Sequence, residues 1–248
     1  MMSIGNHGAQ AGKAKSNLGC SGLQLVLSLA RNWRGIVMLV LENARLIFLA
    51  NPKTATQSTR AMLERFGNNP DRLRIDGARH MGVQHYIRKL RAGLETELGA
   101  PLESFAVMRA PLDHLHSWFR YRQRDGVPPD ACTKGISFDQ FVAATLMDAP
   151  PVYAKIGRQS QFLAAKAGRS QVEHLFDHAQ MDKMITFLSA RVGEPLHLPR
   201  RNVSPLATAE RDLSAKTTAL MHSVMAEDFA LYTALRQHGY LAGGRLAA

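Results

Sequence analysis

Hydroxyl and amide side chains surround one lysine in residues 51–58, NPKTATQS. The preceding residues 46–50 form a continuous apolar run typical of a buried parallel strand, and the following residues have the spacing of an amphipathic helix. Because the carboxyl end of a parallel strand and the N terminus of the next helix both favour anions, Lys53 in this turn predicts a phosphate-binding loop. An ordinary turn with a solvated lysine is the alternative for this segment taken alone.

The segment differs from the loops that bind nucleoside triphosphates. It contains no glycine, whereas a triphosphate loop follows the pattern G-x-x-x-x-G-K-[ST]. The G-x-G-x-x-G fingerprint of dinucleotide-binding proteins does not follow the strand either. ATP, GTP and dinucleotides are therefore disfavoured as ligands of this loop.

A second cationic residue, Arg109, follows another predicted strand at residues 105–108. Pro111 is favoured at the first position of a helix, so a helix is predicted from there to about Arg124. Ser117 lies on this helix, eight residues after Arg109. Arginine offers a phosphate a planar, permanently charged fork that lysine does not reproduce.

Together, PKTATQS and R-x-P-x-x-x-x-x-S-W-F-x-Y resemble the two cofactor signatures of the sulfotransferases, which use 3′-phosphoadenosine 5′-phosphosulfate (PAPS) as donor. The resemblance implies that Arg109 and Ser117 bind the 3′-phosphate and that adenosine 3′,5′-bisphosphate is the product. It also implies that the first segment binds the 5′-phosphosulfate through Lys53, Thr54, Ala55, Thr56, Gln57 and Ser58. The later segments RQSQFLAAKAG, VEHLFDHAQMDKMITFLSARVG and LPRRNVSP are similar to the carbohydrate-type (sulfotransferase family 2-like) branch, so the resemblance covers residues 47–205.

Sulfuryl transfer leaves negative charge on the departing phosphate, and Lys53 is predicted to neutralise that charge. A neutral hydroxyl is a poor nucleophile, so a general base is expected as well. His80, in ARHMGVQHY between the two cofactor segments, is the first candidate. The carbohydrate sulfotransferases that the sequence resembles often carry their basic histidine in a comparable place. His85 is the alternative base.

Three positions depart from the sulfotransferase pattern. Gln57 stands where serine or threonine is usual, and Ala55 takes the place of a glycine. His114 occupies a position where the second motif often has arginine, which removes some positive charge. His114 and His116 are both predicted to lie on the surface of the second motif's helix.

No metal site is predicted, and the resemblance implies none. Cys20 and Cys132 are the only cysteines and belong to no metal-spaced cluster, so neither a zinc site nor a disulfide framework is indicated. A reducing cytoplasm is the simplest location for such a chain. His174 and His178 have the i, i+4 spacing of a helical metal pair. They fall on a predicted strand and the loop after it, which disfavours that interpretation.

Strands alternate with helices along the chain, which predicts an α/β fold built as a three-layer sandwich with a central parallel sheet. The resemblance makes this a P-loop-like sulfotransferase fold. Residues 1–37 are interpreted as a flexible or extraneous extension and residues 38–248 as a single sulfotransferase domain. Besides strands 46–50 and 105–108, the predicted elements are helices 58–66, 81–94, 111–124, 138–147, 181–192 and 209–238 and a strand at 172–176.

The formal net charge of +11 predicts anionic partners. Together with the resemblance, it predicts a nucleotide donor and an acceptor that is a glycan or an acidic polysaccharide. Nucleic acid is not expected, because only WFRYRQR interleaves basic and aromatic residues and the second cofactor segment accounts for it. A non-catalytic anion- or nucleic-acid-binding protein on the same fold is the alternative function.

Two features of the chain bear on its surroundings. No apolar run reaches the roughly 20 residues that a membrane span needs, so no transmembrane segment is predicted. Arg200 and Arg201 either close over the nucleotide, meet an acidic acceptor or lie in a solvated basic loop.

Overall fold

A computed structural model describes residues 39–67, 80–199 and 212–243. These residues form a five-stranded sheet in the order β1-β2-β3-β4-β5. Strands β2, β3 and β4 are parallel, and β1 and β5 are antiparallel to their neighbours at the two edges. The strands are Leu39–Leu41 (β1), Leu46–Phe48 (β2), Glu103–Met108 (β3), His174–Asp177 (β4) and Tyr240–Ala242 (β5).

The predicted α/β class is confirmed, but the sheet is mixed rather than wholly parallel. The three predicted strands form its parallel centre. The sequence pattern predicts neither edge strand, because each has three residues and offers too few alternations to reveal a period of two. The pairing of β5 with β4, with Tyr240 opposite Phe176, joins segments far apart in the sequence.

Nine α-helices lie within the described residues. They are Thr56–Leu63 (α1), Val83–Lys89 (α2), Arg91–Leu98 (α3), Pro111–Tyr121 (α4), Phe138–Thr145 (α5), Gln159–Phe162 (α6), Met181–Val192 (α7), Ala215–Val224 (α8) and Ala226–His238 (α9). Short 3-10 helices occur at Glu64–Phe66, Pro129–Ala131, Val152–Ala154 and His178–Gln180.

Two predicted helices are each divided in the structure. The helix predicted over 81–94 begins at Val83 and breaks at Leu90, whose φ of −122° is not helical. The last predicted helix breaks at Met225, where φ is −107°. Apolar spacing continues through both breaks, so periodicity alone predicts one helix in each place. Pro111 opens α4 as predicted.

Helices pack on both faces of the sheet, since successive strand residues point to opposite sides. One face packs against α2, α3 and α9, and the other packs against α1 and α7. The first cluster includes Ile47, Ala106, Leu175, Val83, Tyr86, Leu94, Leu231 and Leu235. The second includes Leu46, Phe48, Phe105, Val107, Phe176, Met62, Leu63, Met184 and Leu188. Each fully buried aliphatic or aromatic side chain contributes about 1.5–3 kcal/mol, so both layers hold the sheet firmly.

A third apolar cluster fixes the direction of α4. Leu115 and Phe119 on α4 pack against Phe141 on α5 and Met221 on α8. Because α4 starts directly beyond the carboxyl end of β3, this packing determines where its remaining side chains lie relative to the edge of the sheet. The carboxyl ends of β2, β3 and β4 all meet at that edge.

Some of the sequence predictions fall outside the described residues. These are the extension at 1–37, the basic pair Arg200 and Arg201, and the start of the last helix at 209–211. Within the described ranges, no helix combines the length and apolar character needed to cross a membrane.

Candidate functional site

The loop between β2 and α1 has an unusual backbone for a segment without glycine. Lys53 and Ala55 have φ values of 64° and 59°, both in the left-handed region. That conformation costs an L-residue about 1–2 kcal/mol. Left-handed residues in such a turn direct successive backbone N–H groups toward one point and form an anion-binding concavity. Ala55 is also the N-cap of α1, and no side-chain hydrogen bond caps this helix within the described residues. The loop therefore presents backbone donors to an anion.

Internal hydrogen bonds hold this loop in place. The Thr54 hydroxyl donates to Asn51 O at 2.8 Å, and the Asn51 side-chain amide donates to Val107 O at 3.0 Å on the neighbouring strand. Both Asn51 and Thr54 are buried. Because the Thr54 hydroxyl is used inside the loop, its backbone N–H is the group it can offer to a ligand. Of the remaining loop residues, Thr56 is half-buried, Gln57 is exposed and Ser58 is buried.

Lys53 lies among aromatic rings and other cations. Its Nζ is 3.9 Å from the centroid of the Tyr121 ring and 5.5 Å from that of Trp118. Burial, and after it the positive charges of Arg124, Arg109 and Arg120, together lower the pKa of Lys53 to about 8. The aromatic faces attract the ammonium group, whereas the arginines repel it. This is the electrostatic environment that a bound polyanion would neutralise.

Arg109, directly after β3, contacts the same loop. It is half-buried, and its Nη1 lies 3.5 Å from Lys53 O. The structure therefore places the two predicted cationic residues at one edge of the sheet, after two adjacent parallel strands. Ser117 is half-buried on α4, one turn before Tyr121 and so on the same side of the helix.

His80 is held against the start of the loop. Its Nδ1 lies 2.6 Å from Ala50 O, three residues before Lys53. A carbonyl oxygen only accepts, so Nδ1 carries the hydrogen and the ring's lone pair is on Nε2. His80 is exposed to solvent, as a base that meets an acceptor must be. His85 is also exposed, in the first turn of α2, but no side-chain hydrogen bond of this kind is found for it among the described residues.

The prediction that His114 and His116 lie on the helix surface is wrong. Both are buried, at 2% and 1% exposure. His114 Nε2 donates to Pro52 O at 3.1 Å and so supports the loop between β2 and α1. Burial lowers the pKa of His114 to about 3, with Arg109 and Lys53 acting in the same direction, so the imidazole is neutral. His116 packs edge-on against the Phe138 ring, with centroids 5.2 Å apart.

His174 and His178 do not form a metal pair. His174 begins β4 and His178 directly follows it, so they are roughly 13 Å apart for four residues of extended chain. His174 contacts Tyr240 Oη at 2.8 Å and Glu103 Oε2 at 3.0 Å. Groups of three or more His, Cys, Asp or Glu side chains that could hold a metal are not found in the described residues.

His178 belongs to the carboxyl edge of the sheet instead, although sequence reasoning does not assign it to the site. It directly follows β4. Burial and then Arg109 lower its pKa, Asp177 and Asp113 oppose them, and the net pKa is about 4. β4 thus ends near Arg109, as β2 and β3 do.

Two buried amides also belong to the site and are not predicted from sequence. Asn51 lies three residues after the end of β2, and its position just before Pro52 gives no signal of its long-range bonds. Gln159, at the start of α6, bonds to both Asn51 and Arg109. The segment RQSQFLAAKAG contributes to the family resemblance, but the resemblance gives Gln159 no role.

Comparison with protein-family models gives no match, and comparison with curated proteins gives none either. Among solved structures, the chain is similar to mouse sulfotransferase SULT7A1, which was solved in complex with PAP. The sequence identity is 12% and the TM-score is 0.44, over 88% of this chain and 95% of that one. The interpretation of the site therefore depends on the residues described above.

Proposed function

We propose that this protein is a sulfotransferase that moves a sulfuryl group from PAPS to a hydroxyl or amine of an acceptor. In this proposal its helices and sheet form a three-layer, P-loop-like sulfotransferase fold. The observation that carries the proposal is the meeting of two cationic segments at one sheet edge, where Arg109 Nη1 lies 3.5 Å from Lys53 O. The order and spacing of the two sequence motifs support the assignment of these segments to the two ends of one nucleotide.

The two segments would hold different anionic groups. The backbone N–H groups of the loop around Lys53 and Ala55 suit the 5′-phosphate, with further donors at Thr54, Thr56, Gln57 and Ser58. Arg109 and Ser117 suit the 3′-phosphate, since the guanidinium can donate two parallel hydrogen bonds. PAPS, when bound, supplies the sulfuryl group that is transferred.

Lys53 has the chemical role of stabilising charge. It is positioned to neutralise the negative charge that grows on the leaving phosphate oxygen. Its pKa of about 8 reflects burial and then the neighbouring arginines. A polyanion beside it favours the ammonium form and raises this pKa again, so Lys53 is fully charged when it is needed.

His80 would act as the general base. Its Nδ1–H donates to Ala50 O, which orients the ring and leaves the lone pair on Nε2. In the transfer, the acceptor oxygen bonds to sulfur while the bond between sulfur and the phosphate oxygen breaks, and the acceptor's proton moves to His80 Nε2. His85 is the alternative base, without a comparable tether among the described contacts.

The acceptor proposed is a glycan or an acidic polysaccharide. The net charge of +11 favours an anionic substrate. Arg120 and Arg124, both close enough to affect Lys53, continue the positive charge beyond the two phosphate positions. The scarcity of cysteines supports a cytoplasmic location for this activity.

A titration with adenosine 3′,5′-bisphosphate and with ATP tests the nucleotide specificity. We expect the bisphosphate to bind at least tenfold more tightly, which corresponds to about 1.4 kcal/mol. Equal binding of the two nucleotides contradicts the proposal. Incubation with PAPS labelled in its sulfuryl group and a panel of glycans then tests turnover. Tight bisphosphate binding with no transfer to any acceptor favours the alternative, a non-catalytic anion-binding protein on this fold.

A further inference from the structure

Gln159 connects the two cationic segments through a single buried amide. Its Oε1 accepts from Asn51 Nδ2 and from Arg109 N–H, each at 3.0 Å. Its Nε2 donates to Arg109 O at 2.8 Å. The side chain is only 1% exposed, so these bonds form away from bulk water.

The partners of Gln159 fix the orientation of its amide. The backbone N–H of Arg109 can only donate and the backbone O of Arg109 can only accept, so Oε1 must face the first and Nε2 the second. A shorter amide, an ester-like isostere or an apolar side chain at this position cannot reproduce both contacts. Position 159 therefore requires both the length and the chemistry of glutamine.

The residues that Gln159 bonds to stand next to the proposed phosphate subsites. Asn51 begins the loop that carries Lys53, and its carbonyl also receives the Thr54 hydroxyl at 2.8 Å. Arg109 carries the guanidinium proposed for the 3′-phosphate. A buried glutamine with only a structural role needs hydrogen-bond partners of any kind. Gln159 instead bonds to residues of two separate segments that adjoin the proposed phosphate subsites.

Helix α6 is itself anchored from its other side. Asp228 on α9 is fully buried and accepts from the Ser160 backbone N–H at 3.2 Å and from the Ser160 hydroxyl. Leu163, at the end of the helix, is also fully buried. Gln159 thus projects from a fixed support, and it can hold the two segments at a set separation.

We propose that Gln159 is a positioning residue that sets the separation of the two phosphate subsites and so determines the preference for a nucleotide phosphorylated at both the 5′ and the 3′ position. This inference rests on the proposed function. Gln159 touches neither phosphate in this scheme. It acts through Asn51 on one subsite and through Arg109 on the other.

The test compares Gln159→Met with Gln161→Met in the full chain. Methionine has the length of glutamine without the amide, and Gln161 is an exposed glutamine on the same short helix. Calorimetric titrations with adenosine 3′,5′-bisphosphate and with adenosine 5′-monophosphate give the selectivity ratio of each protein. We expect the ratio to fall roughly tenfold in Gln159→Met, because misplacing Arg109 weakens its hydrogen bonds to the 3′-phosphate. Gln161→Met should keep the wild-type ratio.

The outcomes distinguish the possible roles. If Gln159 has a purely structural role, Gln159→Met lowers the melting temperature or weakens the binding of both nucleotides equally. An unchanged selectivity ratio in a folded Gln159→Met protein overturns the inference. If that variant does not fold, Gln159→Asn retains the amide, shortens its reach by one methylene and should show the same fall in the ratio. A wild-type protein that does not prefer the bisphosphate overturns the proposed function itself, before any variant is considered.

Discussion

The cationic residues at the two ends of the parallel strands have different charged neighbours. At the amino end, two arginines meet carboxylates: Arg91 pairs with Glu173 at 2.7 Å, and Arg191 pairs with Glu103 at 2.6 Å. At the carboxyl end, the charged groups that act on Lys53 are three arginines. The comparison shows that these two arginines at the amino end are paired within the fold, whereas the positive charges around Lys53 repel one another, which in the proposed function a bound anion would offset.

The carboxylates at the amino end reflect this pairing. Burial alone would raise the pKa of Glu103, but hydrogen bonds from His174 and Arg191 lower it. Glu173 accepts from Arg91 and also from the Ser104 backbone N–H at 2.9 Å. These bonds tie β3 to β4 and to α3.

The largest effect is expected for Lys53→Ala. Loss of a preorganised cation at the developing charge should lower turnover by roughly 100- to 1000-fold. Binding of adenosine 3′,5′-bisphosphate should weaken far less, because the lysine acts mainly in the transition state. Steady-state kinetics with PAPS and calorimetry with the bisphosphate measure the two effects separately. Unchanged turnover in a folded Lys53→Ala protein would show that the lysine at the carboxyl end takes no part in the chemistry.

His80→Ala should have the next largest effect, with turnover falling roughly 100-fold because the general base is lost. Bisphosphate affinity should be unchanged, since His80 bonds to Ala50 O, three residues before Lys53, and is not among the residues proposed to hold the two phosphates. His85→Ala is the matched control and should retain nearly full activity. The reverse result, with His85→Ala inactive and His80→Ala active, would transfer the role of base to His85.

A paired substitution tests the contrast between the two ends directly. Arg109→Lys should weaken bisphosphate binding roughly tenfold, because lysine cannot donate two parallel bonds to one phosphate. Arg91→Lys should leave that binding intact and should lower the free energy of unfolding by about 1–2 kcal/mol. Calorimetry and urea unfolding on both variants measure these quantities. Similar losses of binding in the two proteins would mean that the ends do not differ in function.

The smallest effect concerns how stability depends on pH at Lys53. Its pKa is about 8 in the folded chain against an ordinary 10.5. Below the lower value both states carry the proton, and the folded state contains an unfavourably placed charge. As pH rises from the lower to the higher value, the folded state loses its proton first, so the unfolded state binds more protons and stability rises.

Lys53→Met removes this dependence. We expect it to be more stable than wild type near pH 7 and to lose that advantage as pH rises through the window between the two pKa values. Urea unfolding of both proteins at several pH values measures the difference. A constant difference across the window would show that the arginines and the burial do not penalise the charged lysine.

The parts of the site that could be predicted are those encoded by neighbouring residues. Lys53 lies in the loop after β2 and Arg109 directly follows β3, so the chain itself brings them to the same edge. The burial of His114 could not be predicted, because it depends on the contact with Pro52, which is distant in sequence. Gln159 bonds to residues 50 and 108 positions away. Sequence periodicity records which side of an element is apolar, but it does not record which distant backbone group a buried amide will meet.

The left-handed backbone at Lys53 and Ala55 has a consequence for the rate of binding. These two residues already have the geometry that gathers the N–H groups, so an arriving nucleotide does not have to order the loop. Association should therefore be limited by diffusion and orientation, and accelerated by the positive charge at the carboxyl end. Stopped-flow measurements should show an association rate constant that falls steeply with ionic strength, while the dissociation rate constant changes little. In kinetic terms, the cost of forming the loop is met during folding, once, and not at every encounter with a nucleotide.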